Sequence, residues 1–194
     1  MTGAGTTWIL GGGLLLASVV VGVSTGPLIA LLDAGTVAAP PFAAAALIVF
    51  AFGVRGTGSI TARRPVGTAA ITVLALVLVA EPFLTRAMTA DGATAVGYGS
   101  ALALTEGALA AIGVTEIVRA RVLPLPWLWA PAWALGACAA AWILHQVASA
   151  DARVSVPPVA LSLVTVQGVL ATGVPVFLGA IAIALGARGS GGAA

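Results

Sequence analysis

Charged and chemically reactive side chains are scarce in this chain of 194 residues. Only 7% of its residues are charged, whereas about 25% are charged in a typical soluble domain. Lysine and asparagine are absent, and there is one histidine and one cysteine. A single cysteine excludes an internal disulfide and any CxxC redox or metal motif. The chain also lacks HExxH and a phosphate loop ending in lysine, so it predicts no cofactor and no metal site.

Apolar residues dominate what remains. They make up 60% of the chain, and the mean hydropathy is +1.14. Such a chain has too little polar surface to cover a water-soluble globule, so we expect its main solvent to be lipid. The sequence therefore predicts an all-α integral membrane protein surrounded by membrane lipids. The small net charge of +2 gives no reason to expect a nucleic-acid partner.

Six apolar segments are each predicted to cross the membrane as a helix, which takes about 20 residues. They lie near residues 8–32, 37–54, 66–85, 93–118, 127–149 and 157–186. The joints between them are short, so none has room for a soluble domain. We expect residues 1–194 to form a single membrane domain, a bundle of six transmembrane helices.

The arginines predict how this bundle is oriented. Six of the eight fall on one side of a six-span chain, namely Arg55, Arg63, Arg64, Arg119, Arg121 and Arg188. Basic loops usually remain in the cytoplasm. The N- and C-termini are therefore predicted to be cytoplasmic, in a multi-pass protein of a bacterial cytoplasmic membrane.

Two glutamates in the fourth apolar segment are predicted to differ in role. Glu116 lies near the inner end, three residues before Arg119, a spacing that places both side chains on one helix face. An ion pair at the level of the lipid headgroups is the simplest interpretation. Glu106 lies about 20 Å from the outer end of its helix, near the bilayer midplane.

Glu106 is the leading candidate for a functional carboxylate. Its helix face carries small residues, including Ala103 and Gly113, which favours an orientation into the bundle. A charged glutamate at the membrane centre costs roughly 2.5–3.5 kcal/mol. Glu106 is therefore either a protonated structural hydrogen-bonding group, or it faces water, a cation or a donor. Gln167, at similar predicted depth in the sixth segment, is the expected partner.

A second polar layer is predicted near the outer surface. Glu81 lies late in the third segment and His145 late in the fifth, and both segments run outward. The two side chains either form a pair that titrates near neutral pH or reach the interface separately.

Two segments contain potential helix breaks. "VSTGPL" at 23–28 and "ATGVPV" at 171–176 combine glycine with proline, which kinks a helix. The alternative is an unwound segment whose backbone dipoles bind a solute.

The first functional hypothesis is transport or binding of a small solute or ion. Glu106 and Gln167 would form a midplane site, with Glu81 and His145 along an outer entry. In size and topology the chain resembles the substrate-binding components of energy-coupling vitamin transporters. That resemblance implies solute binding, and no motif accompanies it.

Two alternatives remain open. In the first alternative, the chain is a non-catalytic membrane subunit that docks on a partner membrane protein, or on its own copies, through small-residue faces such as 11–17 and 22–26. In the other alternative, Ser100 within "AVGYGSALAL" and the single His145 resemble the serine and histidine of rhomboid-type intramembrane proteases. The chain departs from that pattern, because Ala101 stands where the family has glycine and His145 precedes the last span. We assign no catalytic residue.

Overall fold

A computed structural model of the protein describes residues 3–29, 35–88, 95–150 and 157–191. These residues form six α-helices, together with a short 3-10 helix at Trp127–Trp129, and they contain no β-strand. The helices are α1 (Gly3–Ile29), α2 (Gly35–Phe52), α3 (Pro65–Met88), α4 (Ala95–Ala120), α5 (Ala130–Ala150) and α6 (Pro157–Gly191). The prediction of an all-α protein is confirmed for the described part of the chain.

Five segments of these helices are long and apolar enough to cross a membrane. They are Gly3–Val23, Pro65–Met88, Gly97–Ala120, Trp127–Ala148 and Thr165–Arg188. The protein is therefore a multi-pass membrane protein by the length and composition of its helices. The apolar part of α2 among the described residues, Ala38–Phe52, is shorter.

The two proline-containing segments stay helical. α1 continues through Pro27, and α6 continues on both sides of Pro175. The described backbone therefore forms no unwound segment at either position.

Each helix packs against its neighbours in sequence, and α6 returns to pack against α1. The backbones of α1 and α6 approach each other closely. A Cβ atom added at Gly12 would lie 2.6 Å from the carbonyl oxygen of Gly179, and one at Gly186 would lie 2.8 Å from that of Gly5. Only glycine allows the two backbones to approach so closely, as in other membrane helix pairs.

Antiparallel packing brings the six arginines of one predicted side to one end of the bundle, here called the basic end. α1 begins there and α6 ends there, as the contact between Gly5 and Gly186 shows. The loop between α2 and α3 lies at the same end. Thr7 of α1 donates a hydrogen bond to the carbonyl of Thr57 at 2.7 Å and accepts one from the amide of Val54 at 2.7 Å.

The register of α3 against α4 positions the polar residues of the membrane core. At the basic end, a Cβ atom added at Gly67 would lie 2.7 Å from the Cβ of Glu116. One turn farther along, a Cβ at Gly113 would lie 3.0 Å from Ile71. Continuing this antiparallel register at 1.5 Å per residue places Glu81 of α3 about one turn outward of Glu106, where outward means away from the basic end.

Candidate functional site

Glu106 lies on the face of α4 that packs toward the bundle interior. Ala110, Gly113 and Ile117 follow it at helical spacings of four, seven and eleven residues, which places them on one face. Gly113 and Ile117 are buried, and Gly113 packs against α3. The interior orientation of Glu106 therefore follows from the face it shares with them.

The Oε1 atom of Glu106 is buried and has no hydrogen-bond partner among the described residues. Leaving a buried polar atom unpaired costs about 1–3 kcal/mol. Native proteins seldom keep such atoms without a reason, and a binding role is one of the few. The hydroxyl of Tyr98, two turns outward on the same helix, is buried and unpaired within the described residues in the same way.

Glu81 is the charged group nearest to this site along α3. The register of α3 against α4 places Glu81 and Glu106 about one helical turn apart in depth. Two like charges repel strongly in a medium of low dielectric constant. The pair is therefore suited to hold a proton or a positively charged group, which relieves that repulsion.

An apolar cavity of about 290 Å³ lies between Glu106 and the basic end. All six helices contribute to its wall, for example through Leu15, Leu47, Ile71, Gly113, Ala134 and Leu178. Among the described residues that line the cavity, Cys138 alone has a side-chain heteroatom. Ala110 also lines the cavity, and Glu106 is one helical turn outward from it. A carboxyl group thus lies beside the outer end of a nearly apolar cavity.

Gln167 is not joined to Glu106 by a hydrogen bond in the described part of the chain. It is half-buried on α6, and α6 packs chiefly against α1 and α5 rather than against α4. Their depths also differ. Gln167 lies 19 residues from Gly186, whereas Glu106 lies only 10 residues from Glu116, and Gly186 and Glu116 both lie near the basic end. The pairing of Gln167 with Glu106 stays a prediction.

The outer ends of α4 and α5 are joined by a hydrogen bond that sequence reasoning missed. Gln146 Nε2 donates to Ser100 Oγ at 3.2 Å. The serine of the protease alternative is therefore bonded to an amide side chain. His145, the neighbour of Gln146, is half-buried near the same end of α5.

Glu116 forms the ion pair that its spacing predicted. Arg119 Nη1 lies 2.9 Å from Glu116 Oε1, and Arg64 Nη1 lies 3.4 Å from the other carboxylate oxygen. The Glu116 side chain is only 10% exposed. The contact with Arg119 was predicted from the sequence. Arg64 was missed, because no local spacing links a loop residue to a helix 52 positions away.

Part of the small-residue face of α1 is used within the chain. Gly11 packs against the ring of Phe50, and Gly12 packs against Gly179. Of these three glycines, only Gly13 has no described atom within 4 Å of an added Cβ. This leaves less of segment 11–17 for a partner protein than the sequence suggested.

Comparison of the chain with protein-family models, with curated proteins and with solved structures finds no match.

Proposed function

We propose that the protein binds a small solute or ion within the membrane and transports it, with Glu106 as the group that holds it. The buried Oε1 of Glu106, unpaired among the described residues, is the observation that carries this proposal. An apolar pocket with a few well-placed polar groups is the usual form of a small-molecule site. The cavity beside Ala110 supplies the apolar part.

The solute class follows from the chemistry of the site. The wall of the cavity favours an apolar body, and a carboxylate favours a positive charge or a hydrogen-bond donor. Glu81 adds a second negative group one turn outward, on the path from the outer end. In this proposal His145 lies near the outer mouth, and Gln167 lies on the path of the solute from that mouth toward Glu106.

We also propose that α2 spans the membrane with the other five helices and that both termini are cytoplasmic. The grouping of six arginines at the basic end supports this orientation, because basic segments are retained in the cytoplasm. A bacterial cytoplasmic membrane is the proposed location, and residues 1–194 form one domain.

The test is purification in mild detergent, followed by mass spectrometry of bound small molecules and proteins. We expect the wild-type protein to carry a small molecule that Glu106→Gln loses, because the change removes the titratable carboxyl group while keeping its size. Thr105→Val is the matched control, since the hydroxyl of Thr105 is exposed and bonds only to Ala101 of its own helix at 2.8 Å. It should retain the molecule.

The opposite result separates transport from the subunit hypothesis. If Glu106→Gln retains the same small molecule as wild type while its folding is intact, Glu106 does not hold it. If no small molecule is bound and a membrane protein co-purifies in fixed ratio, the chain is a docking subunit.

A further inference from the structure

A groove of about 760 Å³ lies at the basic end between α2 and α3. Its apolar wall includes Phe52, Ala69 and Val73, and its charged group is Arg63. Phe52 is 48% exposed and Val73 is 45% exposed. The groove therefore opens on the outside of the bundle, away from the cavity beside Glu106.

The loop between α2 and α3 holds Arg63 in a defined position. Its backbone amide donates a hydrogen bond to Ser59 Oγ at 3.3 Å, and Ser59 in turn donates to the carbonyl of Ala51 at 2.6 Å. The guanidinium lies against Gly56, where a Cβ atom would collide with it. Arg63 also has a positive φ of 58°, a conformation that costs about 1–2 kcal/mol in a residue with a side chain.

The described residues of α1, α2 and the loop between α2 and α3 offer no counter-charge to Arg63. Arg63 forms no ion pair with a described residue. Its neighbour Arg64 differs, because it is bound to Glu116. A positive group in the wall of an apolar groove is thus left to pair with an anion from outside the chain.

The groove lies where the membrane surface is expected. The apolar span of α3 starts at Pro65, two residues after Arg63, so we expect the guanidinium at the level of lipid headgroups. Val73 lies about two turns farther into α3, at the depth expected for acyl chains, and Phe52 ends α2 beside it. Basic pockets between transmembrane helices bind anionic lipid headgroups in this way.

We propose that this groove binds an anionic phospholipid. Its phosphate accepts hydrogen bonds from Arg63, and one acyl chain lies along Phe52, Ala69 and Val73. Arginine suits this role because its planar guanidinium offers paired donors to a phosphate. The proposal is independent of solute binding at Glu106.

The experiment is native mass spectrometry of the purified protein during titration with phosphatidylglycerol or phosphatidylcholine. We expect wild type to bind phosphatidylglycerol in preference to phosphatidylcholine. Arg63→Gln should weaken phosphatidylglycerol binding by on the order of tenfold, as expected for loss of a hydrogen bond to a charged group. Arg121→Gln removes the same charge from an exposed residue of the basic end outside the groove, and it should weaken binding less than about fivefold.

Equal effects of Arg63→Gln and Arg121→Gln would overturn the proposal, as would equal binding of the two lipids by wild type. If Arg63→Gln does not fold, Ala69→Phe fills the groove and leaves every arginine in place. It should weaken phosphatidylglycerol binding, whereas Ala111→Phe, at an exposed position of α4 outside the groove, should not. Equal binding by these two variants would also overturn the proposal.

Discussion

Arg64, at the end of the loop before α3, binds Glu116 of α4, with 3.4 Å between Nη1 and Oε2. Glu116 also binds Arg119 of its own helix at 2.9 Å. The carboxylate of Glu116 therefore links the last turn of α4 to the residue that precedes α3. Gly67 makes this possible, because a larger residue there would collide with the Cβ of Glu116.

Glu116→Gln is expected to destabilise the protein by about 1.5–3 kcal/mol, the range for hydrogen bonds to charged groups. An exposed pair would contribute only about 0–1 kcal/mol, but the Glu116 side chain is 10% exposed. Thermal unfolding in detergent measures the difference. Arg121→Gln is the control, since Arg121 is exposed and has no ion pair among the described residues. If both variants unfold at the wild-type temperature, the ion pairs of Glu116 with Arg64 and Arg119 do not stabilise the fold.

Gly12→Ala is expected to destabilise the contact between α1 and α6. The added Cβ would lie 2.6 Å from the backbone oxygen of Gly179, and overpacking typically costs about 1–3 kcal/mol. Gly13→Ala is the matched control, because nothing lies within 4 Å of its added Cβ. It should be neutral or stabilising by up to about 1 kcal/mol, since alanine favours a helix over glycine. Equal unfolding temperatures for the two variants would contradict the close helix contact.

Glu81→Gln is expected to weaken binding of the solute identified by co-purification, with a loss of about 1–3 kcal/mol if the solute is positively charged. The reason is the register of α3 against α4, which brings Glu81 to about one helical turn from the level of Glu106, so that both carboxyl groups would act on one bound charge. Gln167→Leu tests the other predicted partner, which forms no hydrogen bond with Glu106 among the described residues. Binding to each purified variant is measured by calorimetry. A loss in Gln167→Leu but not in Glu81→Gln would assign the site to α6 instead of α3.

A cysteine at Thr57 is expected to react with an impermeant maleimide only after cells are permeabilised, if the basic end is cytoplasmic. Thr57 is exposed in the loop, whereas Ser59 is buried and hydrogen-bonded to Ala51, so Ser59 is unsuitable for labelling. Ala87, exposed near the other end of α3, is the position chosen to report on the opposite side of the membrane. Both substitutions are made in a Cys138→Ala background.

Labelling of Ala87→Cys in intact cells, with Thr57→Cys protected, is the expected pattern. The reverse pattern would show that the termini lie outside and that the arginines do not decide the orientation of this protein.

The sequence by itself determined the solvent and the secondary structure. Apolar runs near 20 residues long satisfy their own backbone hydrogen bonds as helices in lipid, and this requires no knowledge of neighbouring helices. The pairing of Glu116 with Arg119 was predictable for the same reason, because a spacing of three residues is a local property of one helix.

Only the tertiary structure decided which residues on different helices lie together. Glu81 is the acidic residue near Glu106. The register of α3 against α4 brings the two residues together, and it is set at Gly67 and Gly113, where the helices approach closely. The cavity beside Ala110 likewise needs walls from all six helices. No periodicity in a single sequence encodes such contacts, since they depend on how side chains of distant segments fill space together.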